Sequence, residues 1–302
     1  MSLQLSSKWF KVAACAALLS SSAPVMASEF NYGQGSMTLE GGFLGLQDSI
    51  KDDVTVYSLK AQHSNLFGSK AFYSYRLSWY DSKEVVNGQQ TFNSTSSQAS
   101  GWFPSTQTPF TLPSIDYRLQ GLDANLSLGY DVIHQGERDF LGLGVLMGLS
   151  TPWINSSQNS SNSSSSNTVS VPDSKTEFWT YKIGPTLVMR KSLGHYFSVY
   201  GSLAYAYQTA HIKNMQLNVS ADVNGDFTSY DFGLRFQPVS VDFQLGWLTL
   251  SPRFYATAGL RNSQWTVKDL AIDVSSNQNL PLPKSDLKFK ADTYYLGFGF
   301  DF

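Results

Sequence analysis

From Tyr294 to Phe302 the chain sets Tyr294, Leu296, Phe298, Phe300 and Phe302 on one face of an extended segment and Tyr295, Gly297, Gly299 and Asp301 on the other. Successive strand side chains point to opposite faces, so this period of two makes one face hydrocarbon and the other small or polar. In a water-soluble sandwich the apolar face turns toward a shared core. In a barrel embedded in lipid the arrangement inverts: hydrocarbon faces out and the polar set faces a lumen.

The same alternation recurs upstream. Ala71, Tyr73, Tyr75, Leu77 and Trp79 oppose Ser74, Arg76 and Ser78, and Leu122 to Tyr130 oppose Asp123 to Asp131. Leu141 to Leu149 alternate with glycines, and further examples follow near 179–189, 197–207, 230–236 and 254–260. With weaker segments near 36–46 and 52–65 the count is about ten. Connections near 67–70, 134–138, 191–194 and 240–246 are short. Those near 83–113, 154–174, 211–226 and 268–286 are long and polar, with 47–52 a short exception. Short turns at one end and long loops at the other predict an all-β, transmembrane, antiparallel up-and-down β-barrel with periplasmic turns and extracellular loops. Aromatic residues at both levels, Trp79, Trp153, Trp179 and Trp265 above and Tyr130, Phe140, Phe197, Trp247 and Phe302 below, predict two interfacial girdles. Asn87-Gly88 and Asn224-Gly225 read as hairpin turns within extended strands. The Ser/Asn tract 155–167 reads as an outer loop, since it offers little apolar surface to offset its chain entropy.

Composition narrows the function. Charged residues are 15% of the chain, against roughly 25% in a typical soluble domain. No unbroken apolar run reaches the length of a spanning helix. At the N-terminus, Lys8 and Lys11 precede the apolar run 12–19, and Val25-Met26-Ala27 supplies a small-residue cleavage site. Residues 1–27 therefore read as a secretory signal and 28–302 as the barrel. The single cysteine, Cys15, falls within that signal, which excludes disulfides, thiolate metal sites and cysteine nucleophiles from the mature chain. Without Lys8 and Lys11 the chain keeps 19 basic residues against 23 acidic, no footprint for nucleic acid.

The signal, the alternating last strand and its terminal Phe302 resemble those of Gram-negative outer-membrane β-barrel proteins. That resemblance implies an outer-membrane location, contact with membrane lipid and lipopolysaccharide, and recognition of Tyr294, Leu296, Phe298, Phe300 and Phe302 by the barrel assembly machinery.

Candidate chemistry lies in the lumen, at the outer rim and in one loop. Inward positions carry Glu40, Arg76, Asp123, Asp131, Lys182, Arg190, Asp231, Arg235, Arg253, Arg261 and Asp301, both signs mixed. Charges shielded from water need partners, so these predict a cross-strand network serving as a salt-bridged plug or, alternatively, as the filter of a porin-like channel for a small solute. Trp79-Tyr80-Asp81-Ser82 and His211 resemble the outer-rim residues of omptin proteases, but Asp81 has no second acid two residues away, and with Thr209, Ala210, Ile212 and Lys213 beside it His211 is expected to have no acid to orient its imidazole. A surface protease or lipid hydrolase is accordingly the lesser reading, and neither metal nor cofactor is expected. Asp222 to Asp226 lacks the spacing of a calcium loop and reads as a tight turn. Trp102, Phe103, Phe110 and Leu112, in a proline-rich outer connection, predict a lid over the mouth or a surface for a ligand. The reading for the whole is a non-enzymatic surface barrel with a closed or narrow lumen.

Overall fold

A computed structural model describes residues 27–41, 50–64, 69–83, 85–87, 90–92, 110–112, 115–133, 139–158, 174–214, 219–238, 243–245, 248–250, 253–270 and 285–301. Ten long strands form the wall: β1 (Ala27–Gly41), β2 (Ile50–Ser64), β3 (Ala71–Ser82), β4 (Ile115–Asp131), β5 (Phe140–Gln158), β6 (Ser174–Ser192), β7 (Phe197–Asn214), β8 (Val219–Phe236), β9 (Phe254–Leu270) and β10 (Ser285–Asp301). Each pairs antiparallel with its neighbours in sequence, and β10 returns to β1 with Ala27 opposite Asp301 and Gly41 opposite Leu287. The sheet closes on itself, which leaves no edge strand among the ten.

The alternation decides which face is which. Leu296 is 69% exposed and Leu260 63% exposed, whereas Asp123 and Asp231 on the opposite face are 0% exposed. A continuous band of exposed Leu, Ile, Val, Phe and Tyr would be an aggregation hazard in water, and lipid is the solvent that suits it. Trp79 and Trp153 stack edge to face at 5.3 Å on the upper outer wall, and Tyr130, Tyr196 and Phe197 are exposed near the turns. Two predicted girdle members instead point inward. Trp265 and Phe140 are both buried, because each has the parity of the lumen-facing set. Trp247 and Phe302 lie outside the described residues.

The first strand starts at Ala27 rather than near residue 36, and its inward residues Glu29, Asn31 and Gly33 are small or polar. Asn224-Gly225 is not a turn. Asn224 pairs with Thr209 on one side and Lys268 on the other, deep within β8. A side chain at Gly225 would collide with the Thr266 carbonyl, so close strand approach, not turn geometry, explains the glycine. In the 83–113 connection, 85–87 pairs with 115–117 and 90–92 with 110–112, carrying the β3–β4 hairpin beyond the wall. The β8–β9 connection is longer than expected and holds its own small hairpin, Phe243–Leu245 with Leu248–Leu250. Among the described residues there is no helix.

Candidate functional site: the filled lumen

The interior has three levels, and at each one opposite walls touch. At the base, Lys60 of β2 places its ammonium 4.3 Å from the ring centre of Tyr200 on β7. There Arg235 of β8 lies 3.5 Å from the Tyr255 ring and holds Asp301 with both terminal nitrogens, Nη1 at 3.1 Å. Glu29 accepts from Asn31 Nδ2 at 2.9 Å and from the Thr257 hydroxyl at 3.3 Å.

At mid-height Asp231 of β8 is the hub. It accepts from Arg76 of β3 at 3.2 Å, from Arg261 Nε and Nη2 at 3.3 and 3.2 Å, and from the Tyr295 hydroxyl. Arg261 also donates to Ser58 Oγ on β2 at 2.7 Å, and the Tyr200 and Tyr295 hydroxyls meet at 2.8 Å. A second buried pair stands nearby, with Lys182 Nζ 2.5 Å from Asp123 Oδ1. Ser150 and Asn125 donate to the same carboxylate, while Lys182 Nζ lies 3.7 Å from the Phe227 ring centre. Buried charges tolerate removal from water only when paired and hydrogen-bonded in this way.

The upper half is apolar. Met37, Val54, Val56, Tyr80, Leu119 and Phe178 belong to one buried cluster with Phe227, Trp265, Val267 and Phe289. Phe178 and Phe289, from β6 and β10, meet edge to face at 5.0 Å. Trp265 Nε1 reaches across from β9 to Ser150 Oγ on β5 at 3.0 Å. Sequence reasoning missed this cluster because it assumed a polar lumen throughout. Its signal was present in the inward parity of Phe178, Phe227, Trp265 and Phe289.

Seven of the eleven expected lumen charges form ion pairs with one another, Arg76 and Arg261 with Asp231, Lys182 with Asp123 and Arg235 with Asp301; Glu40, Asp131, Arg253 and Arg190 are placed differently. Glu40 faces outward near the long-loop end, 3.8 Å from Lys288 on the neighbouring strand. The inward positions beside it are Met37 and Leu39, and counting from the wrong strand start reverses the face. Asp131 caps the β4–β5 connection, accepting from the Ile133 and Leu141 backbone N–H groups at 3.2 Å. Arg253 lies exposed in the turn preceding β9, its carbonyl accepting from Asp301 N at 2.9 Å. Arg190 lines a small cavity at the base together with Glu29, Lys60 and Gln62.

The outer rim corrects a second expectation. His211 does have an acid to orient it: Asp222 sits directly opposite on β8, Nδ1 to Oδ1 2.6 Å. They lie eleven positions apart in sequence, so only strand register reveals the pair. Both face the outside of the wall and are exposed. Asp81 is remote from them, on β3, where Arg118 grips both carboxylate oxygens at 2.8 and 3.0 Å and Gln120 donates at 2.8 Å. Three strands lie between β3 and β7 by the shorter path, so the rim does not assemble Asp81 and His211 into one centre. Among the described residues Asp222 is the hydrogen-bond partner that His211 has, and no group of three potential metal ligands occurs. Trp102 and Phe103 lie outside the described residues. Phe110 and Leu112 form a short ribbon with Phe92 and Gln90.

No protein-family model and no curated protein sequence matches this chain. Solved structures do resemble it. The outer-membrane protease OmpT from Escherichia coli is 13% identical over 93% of this chain and 98% of its own, with a TM-score of 0.44. The translocator domain of the autotransporter NalP from Neisseria meningitidis is 12% identical over 98% and 95%, with a TM-score of 0.38. OprG from Pseudomonas aeruginosa is 12% identical over 92% and 97%, with a TM-score of 0.33. The chain is a closed, ten-stranded antiparallel β-barrel with an apolar outer face. The likeness to these structures is remote and extends no further than the barrel.

Proposed function

We propose that this barrel is a closed, non-enzymatic surface protein of a Gram-negative outer membrane, whose wall displays the outer connections and whose lumen conducts no solute. One observation carries the reading. Side chains from opposite walls touch at the base, at mid-height and in the upper half, through Lys60–Tyr200, Arg76–Asp231 and Phe178–Phe289. A ten-stranded wall is narrow enough for side chains to fill. A solute path would have to separate buried ion pairs and an apolar cluster together. The isolated His211–Asp222 pair does not by itself make a hydrolase, which needs a nucleophile or an activated water held against the imidazole.

Export through residues 1–27, lipid and lipopolysaccharide as surroundings, and reading of the final strand by the assembly machinery belong to the same proposal. The outward row Tyr294, Leu296, Phe298 and Phe300, all exposed, supports the last of these. The outer segment around Trp102 and Phe110 is the candidate lid over the mouth or, alternatively, the candidate ligand surface. Reconstitution of the refolded protein into planar bilayers tests the closed lumen: an electrically silent insertion is expected, and discrete conductance steps would establish the channel reading instead.

A further inference from the structure

Counted from the short-turn end, the apolar outward row does not rise to the same height all round the wall. On β6 and β7 six successive outward positions are aliphatic, aromatic or glycine, Met189 to Trp179 and Phe197 to Tyr207. On β8, β9 and β10 there are four, Phe236 to Tyr230, Phe254 to Leu260 and Phe300 to Tyr294. The fifth and sixth positions of these strands are Thr228 and Asp226, Asn262 and Gln264, Asp292 and Lys290. β1 continues the pattern, passing from Tyr32 to Gln34 and Ser36. The step is abrupt at the β7–β8 pairing, where Tyr205 stands opposite Thr228 and Tyr207 opposite Asp226. The polar side chains are joined to one another along the wall. Asn262 Nδ2 donates to Asp292 Oδ1 at 2.5 Å, and Lys290 stands 2.7 Å from the same carboxylate.

Two outward positions are about four residues of strand, or about 10 Å of height at about 3.3 Å per residue and a tilt of about 40°, against an apolar band about 25 Å tall. The lower boundary is shared across the step, since Phe197 pairs with Phe236 and Phe254 with Phe300. The shortfall therefore falls at the long-loop end. Tilting the barrel moves both boundaries of a strand together and restores neither missing row. Carboxylate and ammonium groups are costly in hydrocarbon, whereas a bilayer thins locally at modest cost to meet a short apolar stretch. We propose that the outer leaflet is thinned against β8, β9, β10 and β1, with lipid headgroups in contact with Asn262, Gln264 and Asp292, while hydrocarbon rises to Tyr207 and Trp179 beside them. The thinned side includes β10 and β1, the pair that closes the barrel. The inference rests on the lipid-facing belt and is independent of whether the lumen conducts.

Nitroxide labels on single cysteines test it, in a Cys15→Ser background that leaves the chain without another thiol. Gln264→Cys and Tyr207→Cys place labels at the same sixth position of β9 and β7, and Leu260→Cys and Leu203→Cys at the fourth. With the refolded protein in phosphatidylcholine liposomes, power-saturation electron paramagnetic resonance reads collisions of each label with oxygen, which concentrates in hydrocarbon, and with a water-soluble nickel chelate. The ratio of oxygen to nickel accessibility should be several-fold higher at position 207 than at 264, and alike at 203 and 260. Equal ratios at 264 and 207 overturn the proposal. A label at 264 sheltered from both reagents overturns it as well, and shows a second copy covering that side. Nickel-dominated ratios at 203 and 260 would remove the lipid-facing belt itself, and the proposal with it. If either sixth-position variant does not refold, the fifth-position pair Thr228→Cys and Tyr205→Cys decides by the same comparison.

Discussion

Asp139 is a small instance of how single residues hold this wall. It precedes β5 in a connection at the short-turn end, where it pairs with Lys191 and accepts from Ser192 N at 3.0 Å. The Lys191 ammonium, and after it the Ser192 N–H, hold its carboxyl below the usual carboxylate value. A carboxyl depressed in the folded state contributes stability above the unfolded value near 3.9, and that contribution is lost as pH falls through the folded value. Asp139→Asn should therefore be less stable than the parent at pH 7, with the difference beginning to shrink only near about pH 4 and vanishing once pH falls below the depressed folded value. Urea midpoints for both proteins across that range test it, and a gap that persists in acid would show that the carboxylate is not the cause. Across from it, the β6–β7 turn relies on Gly194, whose φ of 143° lies where L side chains are strained. Both residues sit in segments the sequence marks only as short and polar. The partner of Asp139 is 52 residues away and becomes visible through strand pairing.

At the scale of a strand, β7 shows how depth sets the meaning of a residue. Leu203 is 44% exposed on the lipid side of the wall. His211 lies eight residues further along the same face, where it meets Asp222. Arginine on the lipid face costs about 2–4 kcal/mol near the bilayer midplane and about 0–1 kcal/mol near an interface. Leu203→Arg should fall in the first range and His211→Arg in the second, measured as unfolding free energies in liposomes. Equal costs at the two sites would contradict the placement of the membrane. The neighbouring strand β6 carries a different mark. Its pairing with β7 passes from Thr186–Ala204 to Ile183–Tyr207, skipping Pro185, which has no N–H to give. Strand identity, then, was legible from parity wherever the apolar row was unbroken. β1 was not, because its outward row passes from Phe30 and Tyr32 to Gln34, Ser36 and Thr38, and its inward row ends in Met37 and Leu39.

For the molecule as a whole, the lumen is what gives a narrow barrel its rigidity, and the Lys182–Asp123 pair is its most enclosed ion pair, with side chains 0% and 1% exposed. Removing one partner leaves a buried charge unanswered, so Asp123→Ala should cost about 3–5 kcal/mol. Replacing both, as Asp123→Leu with Lys182→Met, should recover most of that loss, since a well-packed apolar pair can do as well as a buried ionic one. A double variant as unstable as the single would mean that the pair's neighbours, Ser150 and Phe227, carry the effect. The residue order alone settles the class of fold: period-two alternation is a local property of the backbone, and a hydrocarbon face that recurs with little charge admits few solvents other than lipid. It settles as well which charges face inward on most strands. Which charges meet, that the upper lumen is hydrocarbon, that Glu40 points outward, and that His211 finds Asp222 were settled by closure and register. Those bring together residues tens to hundreds of positions apart, and no local pattern records the distance between them.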